Sequence, residues 1–364
     1  MGLSIGIVGL PNVGKSTLFN ALTRAGALVA NYPFATIDPN TGVVEVPDER
    51  LTALAGVFKP PSVVPATVTF VDIAGLVKGA SEGEGMGNRF LAHIRESDAI
   101  AMVVRCFDNP DVTHVSGKVD PRDDIAVVDY ELMIADLDTV KRRLERTTKL
   151  ARNNKDAAAE LEVLQRVEAG LDQATPARRL GLTDEEKLLV RDLTLLTIKP
   201  VIYVANVSED DAAKTSGGAL DEVAAVAEAE GSHWLPISAR IESDLLELEP
   251  EEAREYLDSL GLPESGLGRL AHAAYDTLGL MTFLTAGEKE VRAWTIRRGT
   301  KAPQAAAAIH GDFERGFIKA EVINWKDLVQ TGGWVAAKAV GKVRIEGRDY
   351  IFQDGDTVIF RFNV

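Results

Sequence analysis

The chain has 364 residues, of which 46% are apolar and 26% charged, enough to bury a sizeable core in two or three folded units. Its formal net charge of −15 argues against a surface that binds nucleic acid throughout, because contact with phosphates depends on clustered Lys and Arg. It has no basic targeting region at its start, no apolar run near the ~20 residues of a membrane span and one cysteine, so we expect a cytoplasmic protein without a membrane partner.

The first motif is a glycine-rich loop between a strand and a helix. Ser4 to Val8 reads as a buried strand, and Gly9 to Thr17 matches the P-loop pattern G-x-x-x-x-G-K-[ST]. Backbone N–H groups of such a loop surround the α- and β-phosphates, Lys15 reaches the β- and γ-oxygens as a catalytic contact, and the Ser16 hydroxyl ligates Mg²⁺. We therefore expect a nucleoside triphosphate to contact Asn12, Val13, Gly14, Lys15, Ser16 and Thr17.

Two further segments have the form of switches that sense the γ-phosphate. The loop from Asn31 to Pro39 contains Thr36, a candidate Mg²⁺ ligand, although a threonine that only bonds to loop backbone is the alternative. The strand from Ala66 to Val71 leads into a D-x-x-G motif, in which Asp72 contacts Mg²⁺ through its water shell and the Gly75 N–H meets the γ-phosphate as a catalytic contact. Loss of that phosphate would release both loops.

The residue that positions the attacking water differs from the Ras-like pattern. Ras-like enzymes have a glutamine after the D-x-x-G glycine, but here Leu76 can neither donate nor accept a hydrogen bond. We expect His114 to replace it, since the polar segment from Asp108 to Lys118, broken by Pro and Gly, reads as a loop at the phosphate edge of the sheet, and neutral imidazole can accept a proton from water. An exposed loop histidine without catalytic duty is the alternative, and His93 in an apparently helical segment is the nearest rival.

A helical insertion is predicted from about Asp124 to Lys199. Apolar residues recur at helical intervals there, as at Leu132, Val140 and Leu144. A polar break at residues 153–156 separates two long helices, so an antiparallel hairpin is the economical arrangement. Its charged faces are either solvated helix surface or a surface for a partner.

The base of the nucleotide is expected at a later strand end. The strand from Pro200 to Ala205 leads into Asn206-Val207-Ser208-Glu209, at the position of the N-K-x-D motif of guanine-specific enzymes. Lysine is replaced by Val207 and aspartate by Glu209, which puts guanine selection in doubt. A second strand ends at Ser238, in a Ser-Ala loop of the kind that abuts the base. The predicted base contacts are Asn206, Val207, Glu209 and Ser238.

The C-terminal part changes in composition. Strand-forming segments follow one another at residues 292–296, 317–322, 342–345 and 358–362, and resemble a small β-grasp TGS domain. From residue 280 onward, 13 Lys and Arg stand against 10 Asp and Glu, a local net charge of +3. The densest basic cluster comprises Arg292, Arg297, Arg298 and Lys301, for which we expect either RNA contact or simple solvation.

With these motifs assembled, the sequence resembles the Obg-like ATPase family, the YchF group of translation-factor-class P-loop proteins, over nearly the whole chain. The resemblance rests on the P-loop, the Asn31 to Asn40 segment, the Asp72 to Ala80 segment and Asn206 to Glu209. It implies an α/β Ras-like P-loop G domain with an inserted helical hairpin, here residues 1–279, followed by a TGS domain at residues 280–364. It also implies a hydrophobic residue in place of the catalytic glutamine and a preference for ATP over GTP.

Three functions are compatible with these features. We expect a switch that hydrolyses ATP slowly and acts with the ribosome or its large subunit; a GTPase switch of the same fold is the main alternative, and a small-molecule kinase is disfavoured by the paired switches. Asn12 occupies the P-loop position at which related glutamine-lacking enzymes help to hold a monovalent cation, so K⁺ is an expected cofactor beside Mg²⁺. An asparagine that only stabilises the loop turn is the alternative.

Overall fold

A computed structural model of the chain describes residues 3–29, 41–72, 86–109 and 118–363. It divides into two compact units, one of Met1–Val44 with Thr69–Ala273 and one of Glu45–Val68 with Ala274–Val364. The segment Glu45–Val68, which separates the two predicted switches in sequence, thus belongs to the C-terminal unit. The predicted boundary between residues 279 and 280 stays a prediction.

The twelve described strands are short and mostly buried. They are β1 (Ser4–Val8), β2 (Thr41–Glu45), β3 (Val63–Val64), β4 (Thr67–Asp72), β5 (Ala99–Arg105), β6 (Val201–Asn206), β7 (His233–Ile237), β8 (Leu280–Ala286), β9 (Val291–Arg297), β10 (Phe317–Asn324), β11 (Arg344–Glu346) and β12 (Asp356–Phe362).

The described helices range from one turn to thirty residues. They are α1 (Lys15–Val29), α2 (Glu49–Phe58), α3 (Met86–Glu96), α4 (Pro121–Leu150), α5 (Lys155–Asp172), α6 (Asp184–Leu189), α7 (Ala219–Glu230), α8 (Ala239–Leu245), α9 (Pro250–Ser259), α10 (Gly266–Thr277), α11 (Ala302–Ala307), α12 (Gly311–Arg315), α13 (Trp325–Thr331) and α14 (Trp334–Ala339).

The first unit is built on a six-stranded sheet with the order β2-β4-β1-β5-β6-β7. Strands β4, β1, β5, β6 and β7 run parallel, so their carboxyl ends meet at one edge. The apolar runs of β1, β5 and β6 are buried, as expected for a parallel sheet covered on both faces, whereas β4 alternates between buried and half-buried residues. Register pairs Ile7 with Asp72 and Arg105 with Asn206, which brings the ends of four strands together beside the P-loop.

The inserted hairpin consists of α4 and α5. Asn154 caps α5, because its side chain accepts hydrogen bonds from the N–H groups of Asp156 and Ala157. The chain therefore reverses direction at the polar break, residues 153–156, as predicted. Leu132 and Val140, two of the residues spaced at helical intervals, are fully buried. The hairpin has its own apolar core, formed by Met133, Val140, Val163, Leu164, Val167, Leu171 and neighbouring side chains.

Buried ion pairs fix the base of the hairpin to the sheet. The Arg178 guanidinium donates to Asp129 of α4 at 2.6 Å and to Glu230 of α7 at 2.8 Å. The Tyr203 hydroxyl of β6 donates to the same Glu230 at 2.8 Å. Because removal of one member of a buried pair leaves an uncompensated charge, this network constrains the hairpin against the strand that ends at Asn206.

The second unit contains a mixed sheet with the order β11-β10-β12-β8-β9-β3. Pairs β11/β10, β10/β12 and β8/β9 are antiparallel, whereas β12/β8 and β3/β9 are parallel. Phe283 lies at the centre of its core and contacts Trp294, Phe352 and Phe360. The edge strand β3 is supplied by the segment Glu45–Val68.

The predicted α/β fold with a P-loop G domain is confirmed, and so are the two long helices of the insertion. All four C-terminal segments read as strands overlap a strand, although β11 begins two residues later than predicted, at Arg344, and β8 was not foreseen. The TGS assignment stays a prediction. In the part of the chain that the structure describes, no helix combines the length and apolarity that a bilayer crossing requires.

Candidate functional site

A cavity of about 570 Å³ lies at the carboxyl edge of the first sheet. The sequence places two loops there: the P-loop, and residues 206–209, the base loop, which are predicted to contact the base. The cavity brings together nine residues predicted to bind nucleotide. These are Asn12, Gly14, Lys15, Ser16, Thr17, Asn206, Val207, Glu209 and Ser238. Val13 does not line the cavity, because its side chain is buried beneath the loop.

Lys15 is buried beside the loop that it serves. Its Nζ donates to the Leu10 carbonyl at 2.6 Å, which holds the side chain against the P-loop backbone. Burial lowers the pKa of Lys15 to about 8, and the Asp72 carboxylate opposes this shift. A buried cation of this kind has lost hydration, so phosphate oxygens would offer it a strong compensating partner.

Asn206 ties the phosphate loop to the base loops. Its Nδ2 donates to the Val13 carbonyl at 2.8 Å, and its Oδ1 accepts from the Ala239 N–H at 3.1 Å. The side chain is buried, so these bonds are shielded from water. The asparagine of the base motif is therefore a structural bridge between two walls of the cavity.

Gly14 allows this bridge because it has no side chain. Its backbone has φ of +96°, and a Cβ built there would lie 2.1 Å from Nδ2 of Asn206. A larger residue at this position would meet both backbone strain and a steric clash. The glycine of the P-loop motif is thus required by the neighbouring strand as well as by a phosphate.

The base loop carries its charged residue in an ion pair. Oε1 of Glu209 lies 2.9 Å from Nε of Arg240, and both residues line the cavity. Val207 is buried, and its N–H donates to the Ile237 carbonyl at 2.9 Å. The N–H of Val207 is therefore already engaged within the fold.

Oxygen donors suited to a hard divalent cation lie beside Lys15. Ser16 lines the cavity, and Asp72 ends the strand next to β1 without lining the cavity itself. Burial raises the pKa of Asp72, while Lys15 opposes the shift. A hydroxyl, a carboxylate and phosphate oxygens suit Mg²⁺, which retains several waters and needs no protein cage. The described residues contain no group of three or more His, Cys, Asp or Glu that could hold a metal ion.

Arg105 shapes a wall of the cavity that the sequence analysis did not identify. Arg105 is 1% exposed, and its guanidinium donates to the carbonyls of Phe107 at 3.1 Å and Asn109 at 3.2 Å. The Phe107 ring centroid lies 4.6 Å from the guanidinium carbon. A charged residue at the end of a buried strand was the available signal. Arg105 does not line the cavity itself; the lining residues absent from the prediction are Phe107, Asp108, Asn109, Ser208, Ala239, Arg240 and Ser243.

Three predicted site residues, Thr36, Gly75 and His114, lie outside the described residues. His93, the rival to His114, is exposed on α3 and is not among the residues that line the cavity. The roles predicted for these four positions stay predictions.

Two family models match the chain. One, described as a 50S ribosome-binding GTPase, matches residues 4–153, which include the P-loop. The other, a model of the YchF GTPase C-terminal region described as a protein of unknown function, matches residues 280–363.

Similar proteins match over the whole length. A protein of Bacillus subtilis (strain 168) named ribosome-binding ATPase YchF is 54% identical over 366 residues, with both chains fully covered. The Escherichia coli O157:H7 protein of the same name is 54% identical over 365 residues, again with full coverage of both. The solved structure of the Schizosaccharomyces pombe YchF GTPase is 41% identical, with a TM-score of 0.89 and coverage of 99% of this chain and 98% of that one. On this full-length similarity, the chain belongs to the YchF family.

Proposed function

We propose that this chain is a nucleotide-dependent switch that hydrolyses ATP to ADP and phosphate and acts with the ribosome, in the cytoplasm. The observation that carries the proposal is the base loop, in which Val207 and an ion-paired Glu209 stand where guanine-specific enzymes have lysine and aspartate. The bacterial relatives are named ribosome-binding ATPases, which supports both the hydrolysis of ATP and the ribosome as partner.

Adenine fits this loop better than guanine. In N-K-x-D enzymes the aspartate accepts from two guanine N–H groups and the lysine stem packs on the base. Here the carboxylate of Glu209 is engaged by Arg240, and Val207 offers a carbonyl oxygen that can accept from the adenine amino group. Guanine would present a carbonyl to that oxygen, leaving two acceptors opposed.

A GTPase switch of the same fold is the second candidate. Asn206 bonds both to the P-loop and to the Ser-Ala loop, and it occupies the position of the asparagine in the motif of guanine-specific enzymes. The S. pombe relative is also titled a GTPase. Competition of ATP and GTP for one labelled analogue separates the two. We expect ATP to bind roughly 5- to 150-fold more tightly, the equivalent of ~1–3 kcal/mol for one unpaired buried group.

A matched variant sharpens this comparison. Val207→Lys combined with Glu209→Asp restores the guanine-reading pair, and we expect it to gain GTP affinity while losing ATP affinity. Val207→Leu, which keeps an apolar residue, serves as the control and should retain the ATP preference. Equal or tighter binding of GTP by the unaltered protein in calorimetry would contradict the adenine assignment.

The phosphates and Mg²⁺ occupy the other end of the cavity in this proposal. The P-loop N–H groups and Lys15 hold the phosphates, and Ser16, Thr36 and Asp72 serve the ion, directly or through its waters. When bound, Mg²⁺ neutralises charge that develops on the β- and γ-phosphate oxygens. Gly75 contacts the γ-phosphate through its N–H, so hydrolysis releases the segments that carry Thr36 and Gly75.

Potassium is a further expected cofactor. Asn12 has a left-handed backbone, with φ of 62°, and lines the cavity within the P-loop. We propose that its side chain helps to hold K⁺ beside the phosphates, where positive charge stabilises the transition state. Turnover should therefore be higher in K⁺ than in Na⁺ buffer at matched ionic strength, and Asn12→Gly, which accepts the same backbone, should lose the difference. Equal turnover of the unaltered protein in both salts would remove the cation from the mechanism.

The C-terminal region, residues 280–364, is proposed to be a TGS domain that contacts RNA through its basic cluster. Most of the charge of this cluster is already paired within the fold. Arg298 pairs with Asp276 at 2.8 Å, Lys301 with Asp349 at 2.9 Å and Arg292 with Glu290 at 3.9 Å. Of the cluster, Arg297 carries the least compensated charge.

A further inference from the structure

The turn of the inserted hairpin is the most basic stretch of this acidic chain. Residues 141–155 contain seven Lys or Arg and one Glu, a local net charge of +6 in a protein of net charge −15. Four of these cations, Arg146, Lys149, Arg152 and Lys155, form a cluster that we name the hairpin tip. Arg146 and Lys149 lie on the last turns of α4, Arg152 lies in the connection, and Lys155 begins α5.

The cations of the hairpin tip are exposed, and none has an ion-pair partner among the described residues. The preceding cations differ: Lys141 lies 3.7 Å from Asp172, Arg142 pairs with Asp138 at 2.7 Å, and Arg143 bonds to Glu160 at 2.5 Å. The acidic partners are therefore used along the stem, and the uncompensated charge collects at the turn.

The turn is held in a fixed conformation. Asn154 caps α5, the Ala151 N–H donates to the Thr147 carbonyl at 2.8 Å, and Arg143 of α4 bonds to Glu160 of α5. Ordered cations lose less entropy on binding a polyanion than cations on a disordered tail. Leu150, 63% exposed, adds an apolar contact between the basic side chains.

The tip also lies at the opposite end of α4 from the buried base of the hairpin. The thirty residues of α4 span about 45 Å at 1.5 Å per residue, and its buried residues are concentrated before Val140, with Thr147 the single one beyond it. This surface is consequently free of the packing that fixes the base of the hairpin. Its charge can serve an external partner without altering the cavity.

We propose that the hairpin tip binds the phosphate backbone of structured RNA. Four uncompensated cations on a rigid turn complement closely spaced phosphates, and the acidic surroundings favour RNA contact at local basic surfaces such as this one. The proposal rests on the ribosome partnership above and names the surface and the chemistry that it uses. The sequence analysis left two roles for the charged faces of the hairpin, a solvated surface or a surface for a partner. The proposal favours the partner for the turn of the hairpin.

The test measures binding of the full-length protein to purified large ribosomal subunits, to naked ribosomal RNA and to a short RNA duplex. The tip variant carries Arg146→Glu, Lys149→Glu, Arg152→Glu and Lys155→Glu, with the four Gln substitutions as a milder version. A matched control carries the same charge change on exposed, dispersed cations of the same unit, namely Arg122, Arg179, Arg191 and Arg254.

We expect the tip variant to lose tenfold or more in affinity for all three probes, and the control to stay near the unaltered protein. Four phosphate contacts on duplex RNA correspond to a log–log salt slope of about −3.6, so unaltered binding should weaken ~10²-fold from about 50 to about 200 mM salt. The tip variant should have a much flatter slope. Its ATP turnover without ribosomes should be unchanged.

Other outcomes overturn the proposal. Equal losses in the tip variant and the control would assign the effect to overall charge. Unchanged binding in the tip variant, together with loss in a variant that carries Arg297→Glu and Arg298→Glu, would leave the C-terminal region as the RNA contact. Retained binding to naked RNA with lost binding to subunits would indicate a protein partner. Absence of ATP turnover in the unaltered protein would refute the proposed enzymatic function and leave the RNA result to be judged on its own.

Discussion

Replacing Gly14 by alanine is expected to reduce nucleotide affinity by roughly 30- to 2 × 10⁴-fold. The added Cβ would lie 2.1 Å from Nδ2 of Asn206, which must then move and release the Val13 carbonyl. A lost bond to a buried group costs ~1–3 kcal/mol. Strain at φ of +96° adds ~1–3 kcal/mol, and each 1.4 kcal/mol corresponds to about tenfold in affinity. Calorimetric titration with a non-hydrolysable ATP analogue measures the loss.

A second glycine substitution serves as a control that separates the effect of backbone strain from that of the steric clash with Asn206. Gly181 has φ of +61°, and no atom lies within 4 Å of the position that a Cβ would take, so Gly181→Ala introduces backbone strain alone. This variant should unfold at a lower temperature but bind nucleotide as the unaltered protein does. If Gly14→Ala binds the analogue with unchanged affinity, the bridge from Asn206 is not needed for the bound form of the loop.

Much of the first sheet could be predicted from the sequence because its strands are continuous apolar runs that end in motifs. The strand at Ser4–Val8 was predicted to the residue, and the helix after the second switch begins within two residues of its predicted start at residue 88. The strand Leu280–Ala286 was missed although Gly279, with φ of +63°, is a stop signal between it and the preceding helix, because its run includes Thr282 and Thr285 and is not a continuous apolar stretch. Local pattern could not reveal that it lies inside a mixed sheet.

The segment Glu45–Val68 shows a different limit of the sequence. Its helix α2 and strand β3 belong to the C-terminal unit, with Val63 and Val64 paired to Val291 and Arg292. Pairing across more than two hundred residues leaves no local periodicity from which it could be inferred. Covalently, the segment connects β2, which follows the first predicted switch, to β4, which precedes the second.

The candidate site likewise contains residues that the sequence could predict and residues that it could not. Residues held in a contiguous motif, such as Lys15 and Ser16, were predicted because phosphate binding imposes both their identity and their spacing. Arg105 and Arg240 were not, since each acts through a partner that is distant in sequence or through backbone carbonyls that no pattern records. The sequence shows only that Glu209 replaces the aspartate that reads guanine. The structure adds that the Glu209 carboxylate is paired with Arg240, which changes the interpretation of the base motif.

Replacing His114 by alanine is expected to reduce ATP turnover ~10²-fold or more, a typical contribution of a general base. Leu76 cannot position water, and the chain from β5 enters the segment that contains His114 directly after Asn109, which lines the cavity. Arg105 fixes the carbonyls of Phe107 and Asn109, so the segment departs from a defined point beside the phosphates. Neutral imidazole can accept a proton from the attacking water.

The kinetic signature distinguishes catalysis from binding. ATP affinity should be nearly unchanged in His114→Ala, because binding rests on the P-loop and the base loop, so the loss should appear in kcat and kcat/KM alike. His93→Ala is the matched control: this side chain is exposed on α3, outside the residues that line the cavity, and its removal should leave turnover intact. Unaltered turnover in His114→Ala together with an inactive His93→Ala would assign the water-positioning role to the helix after the second switch.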